Sequence, residues 1–400
     1  MTNQKTIWII NQYSGSSTHG MEYRHYYLAK EFIAKGHNVV MISGSYSHLF
    51  KQQPNVSEAF TFEKIDGISY CWVKVPKYER SISLGRFKNM MAFAWNLRKF
   101  PITDFPKPDA IIVSSPSLFP IVIARKWATK FKAKLLFEIR DIWPLTLQEL
   151  SGLKKWHPVS ILLSYFEKYG YKNADKVISL LPDAYLHFEK FGMSKSKFHY
   201  IPNGISLQSL DLESTDFVMN IPKDKFIIGY VGSMGKSNAL EYYIEAINNL
   251  SDHQEIAFVF IGKGAEKASL KNATVNKNVI WIDAIEKGMV QSALSQMDAC
   301  YIGWHNIKLY EMGISANKIF DYMYAAKPII HSNNASNDLV KLANCGLSIP
   351  AENPQAIANA ILHLSELPLE ERNKLGQNGK DYVLRNHTYS KLADKYLELI

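Results

Sequence analysis

A lysine, an asparagine and an aspartate stand close together in the segment 311–330, EMGISANKIFDYMYAAKPII, at spacings that suit a phosphorylated ligand. A small-residue turn at Gly313 and Ser315 leads into Ile319, Phe320, Met323 and Tyr324, whose recurrence predicts a helix. The Lys-Pro-Ile-Ile run that follows predicts a buried strand. A helix N-terminus offers backbone N–H groups and the positive end of the helix dipole, a setting for an anion. Asn317 and Lys318 fall in the first turn, and Asp321 lies one turn further along the same face. A cation for phosphate and a carboxylate for vicinal hydroxyls together suit a nucleotide diphosphate. The same residues also fit a plain amphipathic helix with a solvated Lys and Asp.

Further candidates sit where strands are expected to end. AKLLFEIRDIWPL (133–145) carries Glu138, Arg140 and Asp141 at the carboxyl end of a strand, where sites in open α/β sheets form. Arg140 and Asp141 could equally be a structural ion pair. FIIGYVGSMG (226–235) ends in a glycine-rich turn, and Gly232, Ser233 and Gly235 leave room for phosphate against backbone N–H groups. Lys236 follows that turn, and Lys263 stands at the mouth of a second strand–turn–helix unit, IAFVFIGKGAEKASL (256–270). No Asp-x-Asp occurs, so a divalent metal held by paired carboxylates is not expected, and leaving-group charge falls to Lys318, Lys236 and the helix N-termini. Cys71, Cys300 and Cys345 suggest neither a disulfide framework nor a metal site, and no cofactor is expected.

The elements that must position these groups alternate strand and helix. TIWIINQY (6–13), the loop SGSSTHG (14–20), a helix over 21–36 ended by Gly36 and the strand 37–43 form a βαβ unit that opens a parallel sheet. The loop has no G-x-G-x-x-G, which disfavours a dinucleotide site. The 400 residues, 47% of them apolar, suit two α/β domains. We place the first at 1–206, a linker lacking apolar periodicity at 207–225, the second at 226–375 and a tail at 376–400. No apolar run reaches 18 residues, and the first strand is too short for a signal peptide, so a cytoplasmic protein is expected.

Charge divides unevenly. Residues 1–200 carry a net +13 and residues 201–400 a net −4, which points to an anionic partner for the first half. The stretch 77–100 mixes six basic residues, among them Arg86, Lys88, Arg98 and Lys99, with Phe87, Met90, Met91 and Ala94 at helical spacing and with Trp95 between them. That composition fits a helix lying on an anionic bilayer, and also a core-facing helix with solvated cations. The stretch 154–176 is a second basic, aromatic segment. No nucleic-acid-binding motif accompanies the charge.

The segment Gly313-Ile314-Ser315-Ala316-Asn317-Lys318-Ile319-Phe320-Asp321-Tyr322-Met323, with Ala325, Lys327 and Pro328 after it, resembles the donor-site signature of retaining glycosyltransferases of the GT-B fold, family 4. It is most similar to the branch that makes bacterial O-antigen and capsule sugars, including the fucosamine-type transferases. THGMEYRHYYLAKEFIAKGHNV, the Arg140-Asp141-x-Trp143-Pro144 run and Ile201-Pro202-Asn203-Gly204 extend the similarity over both halves.

The resemblance implies two Rossmann-like, doubly wound domains facing a cleft, with the last helix crossing back to the first domain. It implies ribose binding by Asp321, while Gly313 stands where most members carry a first glutamate. His19 and Gly20 would approach the donor phosphates and acceptor from the first loop, and Ile285 would flank the base. It further implies a metal-independent, retaining transfer from a nucleotide sugar, UDP-linked HexNAc or deoxy-HexNAc, in which the departing phosphate oxygen takes the acceptor proton. Arg140 and Asp141 are cast as acceptor-positioning groups. The expected acceptor is a polyprenyl diphosphate-linked saccharide at the inner face of the cell membrane. A sugar-nucleotide epimerase of the same shape and a non-enzymatic two-lobed binder remain as alternatives.

Overall fold

The computed structural model describes residues 4–20, 23–79, 83–212 and 215–400, and divides into two compact units, 1–202 with 389–400, and 203–388. Met21 and Glu22 of the expected first helix, and Arg80 of the basic stretch, lie outside the described residues.

The first unit is an eight-stranded sheet. Its strands are β1 (Thr6–Ile10), β2 (Asn38–Gly44), β3 (Phe60–Ile65), β4 (Ile68–Val73), β5 (Ala110–Ser114), β6 (Lys134–Ile139), β7 (Lys176–Ser179) and β8 (Phe198–Tyr200), ordered β3-β4-β2-β1-β5-β6-β7-β8. All pairs are parallel except β3–β4. β1 and β5 are buried along their whole length, as unbroken apolar runs such as TIWII and AIIVS require of strands covered on both faces. Sequence reading did not anticipate the β3–β4 hairpin. Its signal was the Asp66-Gly67 pair, whose φ values of 49° and 83° form the twisted two-residue turn that such pairs favour.

The second unit holds β9 (Phe226–Val231), β10 (Ile256–Ile261), β11 (Val279–Ile282), β12 (Ala299–Gly303), β13 (Ile329–Ser332) and β14 (Gly346–Ile349), all parallel, in the order β11-β10-β9-β12-β13-β14. The order reverses between β9 and β12 in this sheet, and between β1 and β5 in the first. Ligands of open parallel sheets bind at the carboxyl ends of strands beside such reversals.

Three boundaries differ from the sequence reading. The first unit ends at Pro202, not at residue 206, because Asn203 bonds to Ser315 of the second unit through both its backbone N–H (3.2 Å) and its side-chain amide (3.1 Å). The stretch 207–225 is no bare linker: a helix covers Leu207–Leu212, and the N–H groups of Phe217 and Met219 donate to Ser292 Oγ and Gln296 Oε1, both at 2.9 Å. Met219 is also buried, with Leu210, Phe217 and Ile221 packed against the same core, so the short alternation Phe217, Met219, Ile221 is the signal the sequence reading passed over. The tail returns only from Tyr389. The helix Leu369–Asn386 stays with the second unit, where a Cβ on Gly376 would come within 1.9 Å of the Ala326 carbonyl oxygen, so glycine permits the close approach.

Candidate functional site

In the second unit, the turn after β9 and the helix Asn317–Tyr324 meet beside the β9/β12 reversal. Tyr322 fixes that meeting, since its hydroxyl donates to the Val231 carbonyl (3.1 Å) and accepts from the Val231 N–H (2.8 Å). The turns after β9 and β10 are pressed together: a Cβ on Gly262 would stand 1.9 Å from the Gly232 carbonyl oxygen, and one on Gly264 2.1 Å from that of Met234. Only glycine permits this contact.

Lys318 reaches into the glycine turn. Its ammonium donates to the Tyr230 hydroxyl oxygen (2.7 Å) and to Asn238 Oδ1 (2.5 Å), and its Cε would lie 3.2 Å from a Cβ on Gly232. Tyr230 in turn donates to the Ser233 carbonyl (2.6 Å), and Asn238 Nδ2 donates to the carbonyls of Ser233 (3.1 Å) and Gly235 (3.2 Å). Both acceptors of Lys318 are neutral oxygens, and burial pulls its pKa down to about 7. A phosphate would supply the counter-charge. Ala316, the residue that precedes the helix, offers no side-chain cap, which leaves the first helical N–H groups at the same end as Lys318.

The loop before that helix is rigidly held. Asn337 grips Ile314 by accepting from its N–H (2.7 Å) and donating to its carbonyl (2.8 Å), while Ser315 takes the two bonds from Asn203. Gly313, at φ 109°, makes the entry to this loop. The Ile314 N–H, in the segment that resembles the donor-site signature, is thus already used within the loop. Ile319 is buried in the core and braces the helix, and Asn317 is exposed. Asp321 accepts from Lys287 Nζ at both carboxylate oxygens, 2.6 and 2.8 Å, so it is no lone acceptor for a ribose. Sequence reading missed Lys287, which lies 34 residues away with no local pattern to link the two. Ser233, Lys236 and Lys263 are exposed at the rim and Ile285 is half-buried. Lys236 contributes its carbonyl, which bonds to His305 Nε2 at 2.8 Å.

In the first unit the loop after β1 is folded onto itself. Gly20 takes φ 75°, and its N–H donates to the Ser16 carbonyl (2.9 Å). His19 is turned inward, with Nδ1 2.8 Å from Ser16 Oγ and its ring 4.7 Å from that of Trp72. Burial lowers its pKa, and nearby Glu63 partly opposes that. The expected ligand-facing histidine is thus a brace for its loop. Arg140 and Asp141 follow β6, their N–H groups donating to Ser115 Oγ at 2.8 and 3.3 Å, and Asp141 is exposed. Among the described residues, the buried hydroxyls of Ser14 and Ser117, on the loops after β1 and β5, have no hydrogen-bond partner. Those loops flank the β1/β5 reversal.

Two family models match this chain. One, described as Glycosyltransferase Family 4, matches residues 18–209, and the other, Glycosyl transferases group 1, matches residues 225–366. The chain belongs to glycosyltransferase family 4. A protein of Escherichia coli (strain K12) named as a colanic acid biosynthesis glycosyl transferase, WcaI, is 26% identical over 250 residues, which span 60% of this chain and 61% of that protein. The fold is that of sucrose-phosphate synthase from Thermosynechococcus elongatus (TM-score 0.72, 16% identity, 99% of this chain and 98% of that one). It is shared by Anabaena HepE in complex with UDP and glucose (TM-score 0.66, 14% identity, 99% of each chain). Both are GT-B proteins, so the two doubly wound units of this family 4 chain are the GT-B pair.

One group of residues serves the first unit of this family 4 member in a way the sequence did not disclose. Glu138, fully buried at the end of β6, accepts from Arg24 Nε (3.1 Å), His25 Nε2 (2.8 Å), Ser114 Oγ (2.7 Å) and the Tyr396 hydroxyl. Burial alone would raise its pKa, but Arg24, His25 and Tyr396 overcome that and hold it well below the ordinary 4.5. Arg24 also donates to the carbonyls of Ile201 (2.9 Å) and Pro202 (2.6 Å), tying down the last residues before the chain enters the second unit. Glu138 is therefore a structural carboxylate, apart from Arg140 and Asp141.

Proposed function

We propose that this protein transfers a sugar from a UDP-sugar, a HexNAc or deoxy-HexNAc donor, to a polyprenyl diphosphate-linked saccharide in the assembly of a bacterial surface polysaccharide. The transfer proceeds with retention at the anomeric carbon and without a metal. The observation that carries it is Lys318: a lysine whose ammonium is buried against neutral oxygens at a glycine turn gains most from binding a diphosphate. UDP chemistry is supported by HepE, which shares the fold and is seen with UDP and glucose bound, and polysaccharide chemistry by the colanic acid relative WcaI.

In this reading the diphosphate lies against the turn after β9, with Lys318 and the first N–H groups of the helix Asn317–Tyr324 meeting the charge that develops as the sugar departs. Asp321, already oriented by Lys287, keeps acceptor capacity for the ribose, because a carboxylate has about four lone-pair sites. Arg140 and Asp141 orient the acceptor, and the departing phosphate oxygen takes its hydroxyl proton. The test is calorimetry with UDP, GDP and TDP, followed by proton NMR of the product from a preferred nucleotide sugar. Binding of UDP with transfer to an alpha-linked product from an alpha-linked donor is expected. An inverted product would overturn the retaining step, and epimerised donor without transfer would favour an epimerase.

A further inference from the structure

The helices Leu84–Leu97 and Pro158–Asn173 enclose a groove of about 460 Å3 in the first unit, together with the segment between Trp143 and Lys154. Its walls are Phe87, Met90, Leu147 and Leu163, with Trp143 at one end. The volume is that of a small-molecule site, roughly 300–1,000 Å3. Trp143 follows Asp141 by two residues and Arg140 by three, so the groove adjoins the loop proposed to orient the acceptor. Arg86 lies over the Trp143 ring at 5.5 Å and the Tyr13 ring at 5.0 Å, and Lys154 also lines the groove. Cations thus border an apolar interior.

The outer surfaces of the same two helices carry a matching pattern. Leu84, Lys88, Met91 and Trp95 recur at helical spacing and are all exposed, Leu84 at 73% and Trp95 at 62%. On the second helix Ile161, Tyr165, Lys168 and Lys172 do the same, and Trp156 before it is 74% exposed. Apolar side chains left in solvent beside cations are the arrangement of a surface that meets an anionic amphiphile.

We propose that this groove holds the first isoprene units of a prenyl diphosphate-linked acceptor, with its diphosphate toward Arg86 and its remaining chain leaving past Leu84 along the exposed stripe. This rests on the lipid-linked acceptor of the preceding section, and the charge supplies the occupant: an anionic head beside an apolar tail matches Arg86 and Lys154 around an apolar interior. The groove would set the acceptor saccharide at a fixed distance from the lipid anchor.

The test is calorimetry in saturating UDP, which keeps the donor site filled, with farnesyl diphosphate, geranyl diphosphate, dodecyl phosphate and inorganic diphosphate as probes. Farnesyl diphosphate should bind at least about tenfold tighter than geranyl diphosphate, as added buried apolar carbons require, and inorganic diphosphate, which has the head without the tail, should bind more weakly than either. Leu84→Asp, on the exposed rim, and Leu147→Asp should each weaken farnesyl diphosphate at least about tenfold while leaving UDP affinity and melting temperature unchanged. Equal binding of the two prenyl lengths, or of inorganic diphosphate, would overturn the groove. So would dodecyl phosphate binding as tightly as farnesyl diphosphate, which would assign it to straight-chain lipid. Each outcome is separable from the transferase reading, because UDP binding and transfer to a short-chain acceptor are measured independently of the groove.

Discussion

The ammonium of Lys318 lies 4.5 Å from the centre of the Tyr230 ring and donates to that tyrosine's hydroxyl oxygen at 2.7 Å. The tyrosine hydroxyl in turn donates a hydrogen bond to the Ser233 carbonyl at 2.6 Å, so the chain Lys318–Tyr230–Ser233 polarises the glycine turn after β9 in one direction. A cation held by neutral groups in a partly desolvated site is pre-organised for an anion and costs stability until one arrives.

Loss of that cation should weaken nucleotide binding without unfolding the unit. Lys318→Ala is expected to lower affinity for UDP by about 1.5–3 kcal/mol, the range for a hydrogen bond to a charged group. Asp321→Asn should cost less, because Lys287 already neutralises that carboxylate. Titration calorimetry checks both, and unchanged affinity in the two variants moves the donor site off this helix.

Lys318 also predicts a pH profile. Its free-state pKa of about 7 means the ammonium is largely charged below that pH and largely neutral above it. A phosphate binds the charged form and raises the pKa, so affinity falls as pH rises through 7, approaching tenfold per unit until the bound-state pKa is reached. UDP itself titrates in this range, and the ratio of wild-type to Lys318→Met affinity removes that contribution. A ratio that stays constant from pH 6 to pH 9 would falsify the assignment.

Periodicity and punctuation made the strand–helix alternation and the glycine turns legible, because apolar spacing and glycine act locally. Lys318 was legible for the same reason: it sits in the first turn of a strongly patterned helix. The pairing of Lys287 with Asp321, and of Glu138 with Arg24 and Tyr396, was not. Those partners are 34, 114 and 258 residues apart and meet only through the sheet order. His19 misled for a related reason: whether a loop histidine faces a ligand or packs on Trp72 depends on the unforeseen hairpin that carries Trp72 and Glu63.

Glu138 should be essential to the first unit's stability. Glu138→Gln leaves the buried Arg24 guanidinium without its carboxylate and is expected to cost about 3–5 kcal/mol in urea unfolding. Tyr396→Phe removes two bonds to charged groups, the one donated to Glu138 and the one accepted from Arg24 at 3.1 Å, each of about 1.5–3 kcal/mol. Because the Glu138 pKa is lower folded than unfolded, its contribution is fully present above about 4.5 and is lost as pH falls toward the folded value. The urea-unfolding midpoint of Glu138→Gln should therefore depend less on pH below 4.5 than that of the wild type. Equal slopes for the two proteins would remove Glu138 from this role.

Turnover should survive chelation. Lys318 with the helix N-terminus supplies positive charge where the diphosphate is proposed to lie, the charge a metal would otherwise bring. The expected rate in excess EDTA equals that without it. Loss of transfer, restored by magnesium or manganese, would assign the leaving-group charge to a metal.

Docking on an anionic bilayer is the last expectation, and the structure changes which residues should carry it. Among the described residues no helix is long and apolar enough to cross a membrane. Arg86, which the sequence offered as a lipid contact, stacks on Trp143 and donates to the Tyr13 hydroxyl at 3.2 Å, and belongs to the groove. The apolar stripe expected on this helix also divides, with Met90 buried and Met91 exposed. What faces out is Leu84, Lys88, Met91 and Trp95, with Arg98 lying 4.3 Å over the Trp95 ring and Lys99 beside it. Each basic residue near an anionic surface contributes about 1 kcal/mol, and the exposed tryptophan adds apolar burial at the interface. Replacing Lys88, Arg98 and Lys99 by Gln should lower co-sedimentation with phosphatidylglycerol vesicles by at least about tenfold at 0.1 M salt and leave UDP binding intact. The wild type should show the same loss near 1 M salt, where the Debye length shrinks from about 10 Å to about 3 Å. Trp95→Ser should weaken binding at both salt concentrations, since its burial is not screened. Wild-type protein that ignores these vesicles at low salt while glycosylating a soluble acceptor at full rate would sink the peripheral-membrane reading.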